Sequence, residues 1–459
     1  MKKAIILAAG EGTRMKSKKS KVLHTLLGQK MISYVLESAK DAGVDEIIVI
    51  GGKNLNELKN ELSGEDIRFV EQPIGDEFPY GTGYAVSLCE EYINEKDEIL
   101  ILTGDTPLIR GESLKALMAE HKDHYGATVL TADIDDPTGY GRIVRDEQGN
   151  FHKIVEDRDC NEEEKRIKEF NSGLMIVNGK ELIESLGEIS DENDQGEMYL
   201  TDIFEILHGK DCAIGTYKLK DVNEVYGINS KAQLSFAEEI LRERINGYWM
   251  EEGVVMENPS TITIEPTVLL HQDVILSSGV RLYGDTEVLE NTKITGDCEI
   301  RNSKIGKGVV IQSSYIEDSE VKDFADVGPF AHLRMNTVIG EKVHIGNFVE
   351  VKNSVIEQGS KAGHLVYVGD ADVGTDVNIS CGVIFANYDG KNKYRSKVDD
   401  GAFIGSNVNL VAPVHVKEES FIACGSTITE DVEEGSLAIA RARQVNKKDW
   451  YKKKKDEWK

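Results

Sequence analysis

Two groups of residues in this 459-residue chain have the types and spacing to do chemistry. The first is "LAAGEGTRM" (7–15) and the run that follows it. Gly10 and Gly12, two apart, let the backbone approach a phosphate closely. Arg14, Lys16, Lys18, Lys19 and Lys21 then place five cations in eight residues of a chain at net charge −27. Met15 stands where the dinucleotide fingerprint needs a third glycine, and no G-K-[ST] follows, so neither common phosphate fingerprint is met. Arg14 and Lys21 read as polyphosphate ligands, because their loop leaves the carboxyl end of the first strand. Lys16, Lys18 and Lys19 fit a solvated basic loop equally well. In "EILILTGDTPLI" (98–109), Asp105 falls just past an apolar strand. A carboxylate there can hold Mg²⁺ against a triphosphate, or it can cap the next helix; alone, the residue fits both. The second group is "GSKAGHLVYVGD" (359–370), which holds one of ten histidines, His364, with Lys361 three before it and Tyr367 three after. Imidazole has the affinity for a general base near neutrality. A lone histidine in a repetitive stretch is otherwise a coil-corner residue.

The elements that must position these groups fall into two regimes. Over the first 225 or so residues, short apolar runs ("AIILAAG", "EIIVIGG", "IRFVEQ", "EILILTGD", "ATVLTAD", "NSGLMIVN") alternate with helical stretches such as "ISYVLESAKDAG" and "TGYAVSLCEEYIN". That alternation predicts an α/β, Rossmann-like, mainly parallel sheet with ligands at its carboxyl edge. Residues 229–251 have helical spacing, with Leu234, Ala237, Leu241 and Ile245 on one face, and read as a linker helix. From 252 the period becomes six: Ile262, Val268, Val274, Val280; Leu282, Val288, Ile294, Ile300; Ile404, Leu410, Val416, Ile422, Ile428. Glycine often follows the aliphatic residue, as in Ile305–Gly306 and Ile345–Gly346. A fixed hexapeptide period predicts a parallel β-helix whose aliphatic column is buried by stacking. The segment 376–398, "DVNISCGVIFANYDGKNKYRSKV", breaks the rhythm and reads as a protruding loop. The expected domains are 1–228, the helix 229–251, and 252–459.

Length argues for two or three domains. The charge of −27 disfavours nucleic acid and anionic membrane as partners. Six scattered cysteines without a C-x-x-C pair point to a reducing compartment and no structural zinc. "MKKAIILAA" imitates a signal peptide but is too short and runs into charge, so it reads as a buried strand of a cytoplasmic protein.

"LAAGEGTRM…KVLH", "LTGDTPLI", "DPTGYGRIV", "NSGLMIVNG" and "GEMYLTDI" together resemble the sugar-1-phosphate nucleotidyltransferases, most closely the uridylyltransferase half of the bifunctional enzymes that make UDP-N-acetylglucosamine. The resemblance implies that Leu7, Ala8, Ala9 and Gly10 contact uracil and phosphates and that Arg14 and Lys21 neutralise phosphate. It implies that Gln72, Gly81 and Thr82 read uracil, that Asp105 and Asn229 bind Mg²⁺, and that Gly141, Glu156 and Asn171 hold the amino sugar. Two features depart from the family. Ser20 replaces a usual proline before the lysine, which should loosen the loop. The insertion "PIGDEFPY" (73–80) separates Gln72 from "GTG".

The carboxyl-terminal motifs "GNFVEVKNS", "SKAGHLVYVGD", "VNISCG", "ANYDGKNK", "FIGSN", "IACGST" and "AIAR" resemble the N-acetyltransferase half of the same enzymes, in the same order. Such hexapeptide acyltransferases are left-handed β-helical homotrimers with sites between subunits. The resemblance makes His364 the base that deprotonates the amine of glucosamine-1-phosphate, with Glu350 a candidate to orient the imidazole or support its cationic form. Arg334, Lys352 and Tyr367 would grip the sugar phosphate, with Asn378 and Lys393 lining the sugar. Asn387 and Tyr388 would lie near the acetyl group and Ser406 near the thioester, and Cys424 and Arg441 would meet the coenzyme A arm. Cys381 and Cys424 stand where the family usually has alanine and read as small packing residues; Cys424, if it lines the thioester pocket, would be open to thiol reagents. The terminal "KKDWYKKKKDEWK" reads as a solvated tail or as a segment packed on a neighbouring subunit. The implied function is bifunctional, with UTP and acetyl-CoA as co-substrates. The alternatives are a single-activity nucleotidyltransferase with a β-helix trimerisation post and a non-catalytic scaffold.

Overall fold

Runs of aliphatic residues ended by glycine or charge become the strands of the first of two units, Met1–Leu241 and Arg242–Lys459. The computed structural model describes residues 1–10, 12–75, 77–191 and 196–458. The strands of the first unit are β1 (Lys2–Leu7), β2 (Thr25–Leu26), β3 (Gln29–Lys30), β4 (Glu46–Gly51), β5 (Arg68–Glu71), β6 (Glu98–Thr103), β7 (Tyr125–Asp133), β8 (Arg142–Arg145), β9 (Phe151–Val155), β10 (Glu169–Asn178) and β11 (Ala213–Lys218). All but β2 and β3 form one sheet, in the order β11-β7-β10-β6-β1-β4-β5, with the β8–β9 hairpin joined at β10. β1 pairs parallel with β4 and β6. β10 runs antiparallel to both β6 and β7, so the sheet is mixed. The hairpin precedes β10 where a helical crossover would otherwise stand, and a hairpin return is antiparallel. On β1, Ala4 and Ile6 enter one core and Ile5 the other, so the central strand is buried on both faces. The helix expected over 82–94 is shorter, Thr82–Ser87, followed by a turn of 3₁₀ helix at Glu90–Tyr92.

At the amino ends of β1 and β6 lies an ion cluster in which Lys3 and Asp97 are buried. Asp97 accepts from the amino terminus at 3.2 Å and pairs with Lys3 at 3.1 Å. Burial alone would raise its carboxyl; the Asn94 amides, Lys3 and the amino terminus outweigh it and bring it down to about 2. A depressed folded-state value stabilises above the ordinary carboxylate range and loses that stability as pH falls toward the folded value. Asp97→Asn should therefore lower the melting temperature at pH 7, and the gap to wild type should close between pH 4 and 2. An equal gap at both pH values in scanning calorimetry would refute the assignment.

The helix Lys231–Glu251 packs Leu234, Ala237 and Leu241 among Leu26, Met31 and Tyr34 of the first unit. Its later residues Ile245 and Trp249 pack on the core of the second.

The second unit is a left-handed parallel β-helix. Strands of two to four residues stack into sheets of eleven, ten and nine. Each aliphatic residue of the hexad series is at most 5% exposed, and together they fill one column. Parallel partners lie about one coil apart in sequence, His344↔Lys361 and Phe403↔Phe421 for example. Asn378↔Phe403 spans a longer coil, and the excess leaves the helix as a loop at 387–395. Corners take positive φ, even at bulky residues: Phe330 (60°), Phe348 (57°) and Leu365 (51°). These three are each more than half exposed, and the two phenyl rings stack at 5.5 Å. No helix among the described residues is long and apolar enough to cross a membrane.

Candidate active sites

The first site forms at the carboxyl edge of β1, β4 and β6. Gly12 has φ 61°, and a Cβ there would lie 2.6 Å from Lys21 Cβ, so glycine both makes the turn and clears the path of the lysine. Glu11, between the two glycines, lies outside the described residues. Lys21 Nζ donates to Asp105 Oδ2 at 2.5 Å and to Asn229 Oδ1 at 3.0 Å. Arg14 donates to the same Asn229 oxygen at 2.9 Å. Asn229 reaches Asp105 because the Ile228 amide donates to the Asp105 carbonyl at 2.9 Å. The helix after Asp105 begins only at Gly111, with Arg110 at its cap, so capping is not the role of this carboxylate. The cations thus separate: Arg14 and Lys21 converge, whereas Lys16 and Lys18 are exposed. Lys19 has its ammonium affinity lowered by the neighbouring Lys30.

The loop is not loosened at Ser20. Its φ of −52° and ψ of 139° are values a proline would hold, and its hydroxyl accepts from Asn54 Nδ2 at 2.8 Å. Asn54 Nδ2 also donates to the Ala8 carbonyl, at 2.9 Å. A side-chain tie supplies what a pyrrolidine ring would have supplied.

Leu7, Ala8, Ala9, Gly10, Lys21, Gln72, Gly81, Thr82 and Asp105 line one cavity of about 560 Å³. A Cβ on Gly81 would lie 2.4 Å from the Met198 carbonyl, so this glycine admits the 196–200 segment against the cavity wall. A second cavity, about 690 Å³, shares Leu7, Thr82 and Thr103 with the first and is lined by Glu156, Tyr199 and Thr201. Burial raises the Glu156 carboxyl above its ordinary range. Gly141 and Asn171 stand behind it. A Cβ on Gly141 would be 3.4 Å from a Glu156 oxygen, and the Asn171 amide donates to the Gly141 carbonyl at 2.8 Å. Tyr199, Thr201 and Thr103 were missed in the sequence; "GEMYLTDI" contained the first two without any spacing to mark them.

Asp105 and Asn229 put two oxygens around one ammonium, a donor set that suits a hard divalent cation. Among the described residues no three His, Cys, Asp or Glu side chains gather as a metal cluster, so such a cation would complete its shell with water and phosphate oxygens.

The second site sits at one corner of the β-helix and on the adjoining sheet. Asn347 pairs with His364 on the next coil, and its Oδ1 lies 2.8 Å from His364 Nδ1. Glu350 does not meet the imidazole: it accepts from Arg334 at 2.9 and 2.5 Å. The orienting partner expected at Glu350 is Asn347, which the coil stacking sets directly below the histidine. Beside them, Asp370 is buried and accepts from Asn353 and Asn387, both at 2.5 Å. Lys352 Nζ lies 3.9 Å from Asp370 and has its affinity lowered by Lys393, which the excursion loop carries to it. Tyr367 Oη is 3.5 Å from Asn387. Tyr388 and Lys393 close the loop as a β-bridge, with Tyr388 60% exposed. Arg334, Lys352, Tyr367, Asn387 and Lys393 therefore gather on one sheet face. Asn378 does not join them; it lies on the neighbouring sheet, bonded to Ser380. Ser406, Cys424 and Arg441 continue the His364 corner upward.

Coil approach at this corner is tight. A Cβ on Gly346 would come within 1.9 Å of the Gly363 carbonyl. Gly346→Ala should destabilise the β-helix by more than about 2 kcal/mol and separate Asn347 from His364. A melting temperature equal to wild type in calorimetry would refute this.

Comparison with known proteins follows the same division. Residues 4–197 match the MobA-like NTP transferase domain. Three proteins titled "Bifunctional protein GlmU" are similar over 98% of both chains: those of Clostridioides difficile strain 630 (49% identity), Alkaliphilus oremlandii strain OhILAs (50%) and Enterococcus faecalis strain ATCC 700802 / V583 (46%).

Proposed function

The chain belongs to the family of the bifunctional protein GlmU, and from that premise we propose how its residues divide two reactions. The enzyme acetylates glucosamine-1-phosphate with acetyl-CoA, then couples N-acetylglucosamine-1-phosphate to UTP, giving UDP-N-acetylglucosamine and pyrophosphate for cell-wall synthesis. We assign uridylyl transfer to residues 1–228, acetyl transfer to 252–459, and the connection to the helix within 229–251.

For uridylyl transfer the carrying observation is the convergence of Lys21 and Arg14 on Asp105 and Asn229. The sugar-phosphate oxygen attacks the α-phosphorus in line and pyrophosphate leaves. Lys21 and Arg14 neutralise the phosphates, and the loop Leu7–Gly10 holds them near the carboxyl edge of β1. Mg²⁺ held by Asp105 and Asn229 would stabilise charge on the phosphate oxygens. Gln72, Gly81 and Thr82 receive uracil; Glu156, with Gly141 and Asn171 behind it, receives the amino sugar.

For acetyl transfer, His364 takes the proton from the sugar ammonium so that the amine can attack the thioester carbonyl. Asn347 fixes the ring. Arg334, Lys352, Tyr367 and Lys393 neutralise the sugar phosphate, with Glu350 steadying Arg334. Asn387 and Tyr388 face the acetyl group. Ser406, Cys424 and Arg441 follow the coenzyme, and Asn378 serves from the adjoining sheet. We read the assembly as a homotrimer in the cytoplasm; the exposed column Phe330, Phe348 and Leu365 beside the base, and the exposed Trp450, Tyr451 and Trp458 of the terminal helix, support a second chain covering this corner. The testing experiment follows both products in one preparation. Pyrophosphate release must require UTP, N-acetylglucosamine-1-phosphate and Mg²⁺ together, and thiol release must require glucosamine-1-phosphate. Thiol release absent from wild type would leave only a nucleotidyltransferase on a β-helical post.

A further inference from the structure

The segment 73–80 has no place in the assignments above, yet it forms a wall of the nucleotide cavity. Its Asp76 lies outside the described residues. Ile74 folds back onto the ends of β1 and β4: a Cβ on Gly52 would lie 2.9 Å from Ile74 Cδ1 and 3.1 Å from the Ala9 carbonyl. Tyr80 is pinned through its backbone, its carbonyl accepting from the Met198 amide at 2.7 Å. Both side chains line the cavity that holds Gln72, Gly81 and Thr82, and both are exposed there, Ile74 by 40% and Tyr80 by 56%. Two large apolar groups facing water gain when a ligand covers them. Gln72 is the polar counterpart. It is only 7% exposed and lines the same cavity. Its amide can both donate and accept a hydrogen bond. Apolar walls beside one amide fit a flat ring with a hydrogen-bonding edge.

We propose that Tyr80 and Ile74 grip the faces of the nucleotide base while Gln72 pairs with its edge, so that the inserted segment sets the affinity of this chain for the base. The proposal rests on the uridylyl-transfer reading. It concerns the inserted side chains, which act on the base and leave the phosphates to Lys21 and Arg14.

Stacking a base on an aromatic ring is worth about 1–3 kcal/mol by alanine substitution. In the full-length enzyme, Tyr80→Ala should raise KM for UTP about tenfold, with kcat within about twofold. Tyr80→Phe should restore the wild-type KM, because the ring and not the hydroxyl does the holding. The side chain is exposed and its backbone bond survives substitution, and acetyl transfer by the second unit reports that the chain is intact. A second measurement uses Tyr80→Trp. The native tryptophans, Trp249, Trp450 and Trp458, all lie in the second unit. UTP should quench the fluorescence added at position 80, and tripolyphosphate, which lacks a base, should not. A Tyr80→Ala KM within about twofold of wild type, or quenching by tripolyphosphate equal to that by UTP, overturns the proposal. Failure of wild-type enzyme to release pyrophosphate from UTP would instead overturn the reading beneath it.

Discussion

His364→Ala is expected to lose acetyl transfer by at least about 100-fold, the lower end of the usual worth of a positioned general base, while uridylyl transfer stays at the wild-type rate. The sugar amine is a cation near neutrality and has no lone pair to offer until a proton leaves. His364 is the group at the corner able to take it, and Asn347 holds Nδ1 at 2.8 Å, leaving Nε2 for the substrate. Asn347 carries no charge, so it orients the ring without the ion-pair stabilisation that Glu350 would have lent. Asn347→Ala should consequently cost less than His364→Ala, by mispositioning and not by removing the base. Free thiol from acetyl-CoA measures one activity, pyrophosphate the other. Acetyl transfer that survives His364→Ala within tenfold would remove the histidine from the mechanism.

Asp105→Asn should reduce uridylyl transfer about 1,000-fold, close to 4 kcal/mol of transition-state stabilisation, with acetyl transfer unchanged. The substitution keeps the shape and deletes the charge that Lys21 now neutralises. The Lys21 ammonium lies between Asp105 and Asn229. Asp105→Asn should need far more Mg²⁺ for its residual rate. Pyrophosphate release within tenfold of wild type at the same Mg²⁺ would exclude Asp105 as a ligand.

The β-helix could be read from the sequence because its rule is local and repeats: one aliphatic residue in six points inward, and each of them is buried. The alternating strands of the first unit were equally legible, apart from β2, β3, β8, β9 and β11. β2 and β3 have two residues each, β8 sets two aliphatic residues between arginines, and neither β9 nor β11 has an aliphatic run longer than two. Contacts between coils were harder. Asn347 and His364 are 17 residues apart, as are Asn353, Asp370 and Asn387 in their stack. That interval equals one coil, and counting it would have found both Asn347 and Asp370; the resemblance pointed to Glu350 instead. Ser20 shows the opposite limit. Its partner Asn54 is 34 residues away across two elements, and no periodicity connects them.

The corner that carries His364 rises coil by coil through Cys381 and Ser406 to Cys424, tied by backbone bonds such as Gly382 to His364 and Gly425 to Ser406, and Arg441 lies on the next coil with its side chain against Gly425. Strands in a ladder keep a spacing of about 4.8 Å, so four steps span ~19 Å. The solenoid is thus a ruler, graduated in coils, with His364 at one mark and the cation of Arg441 at another. On the assignment of Ser406, Cys424 and Arg441 to the coenzyme, a thioester carrier would be gauged by the length of its arm before any of its atoms is recognised. Deleting one coil between Cys381 and Arg441 would bring the two marks one graduation closer and recalibrate the instrument for a shorter carrier.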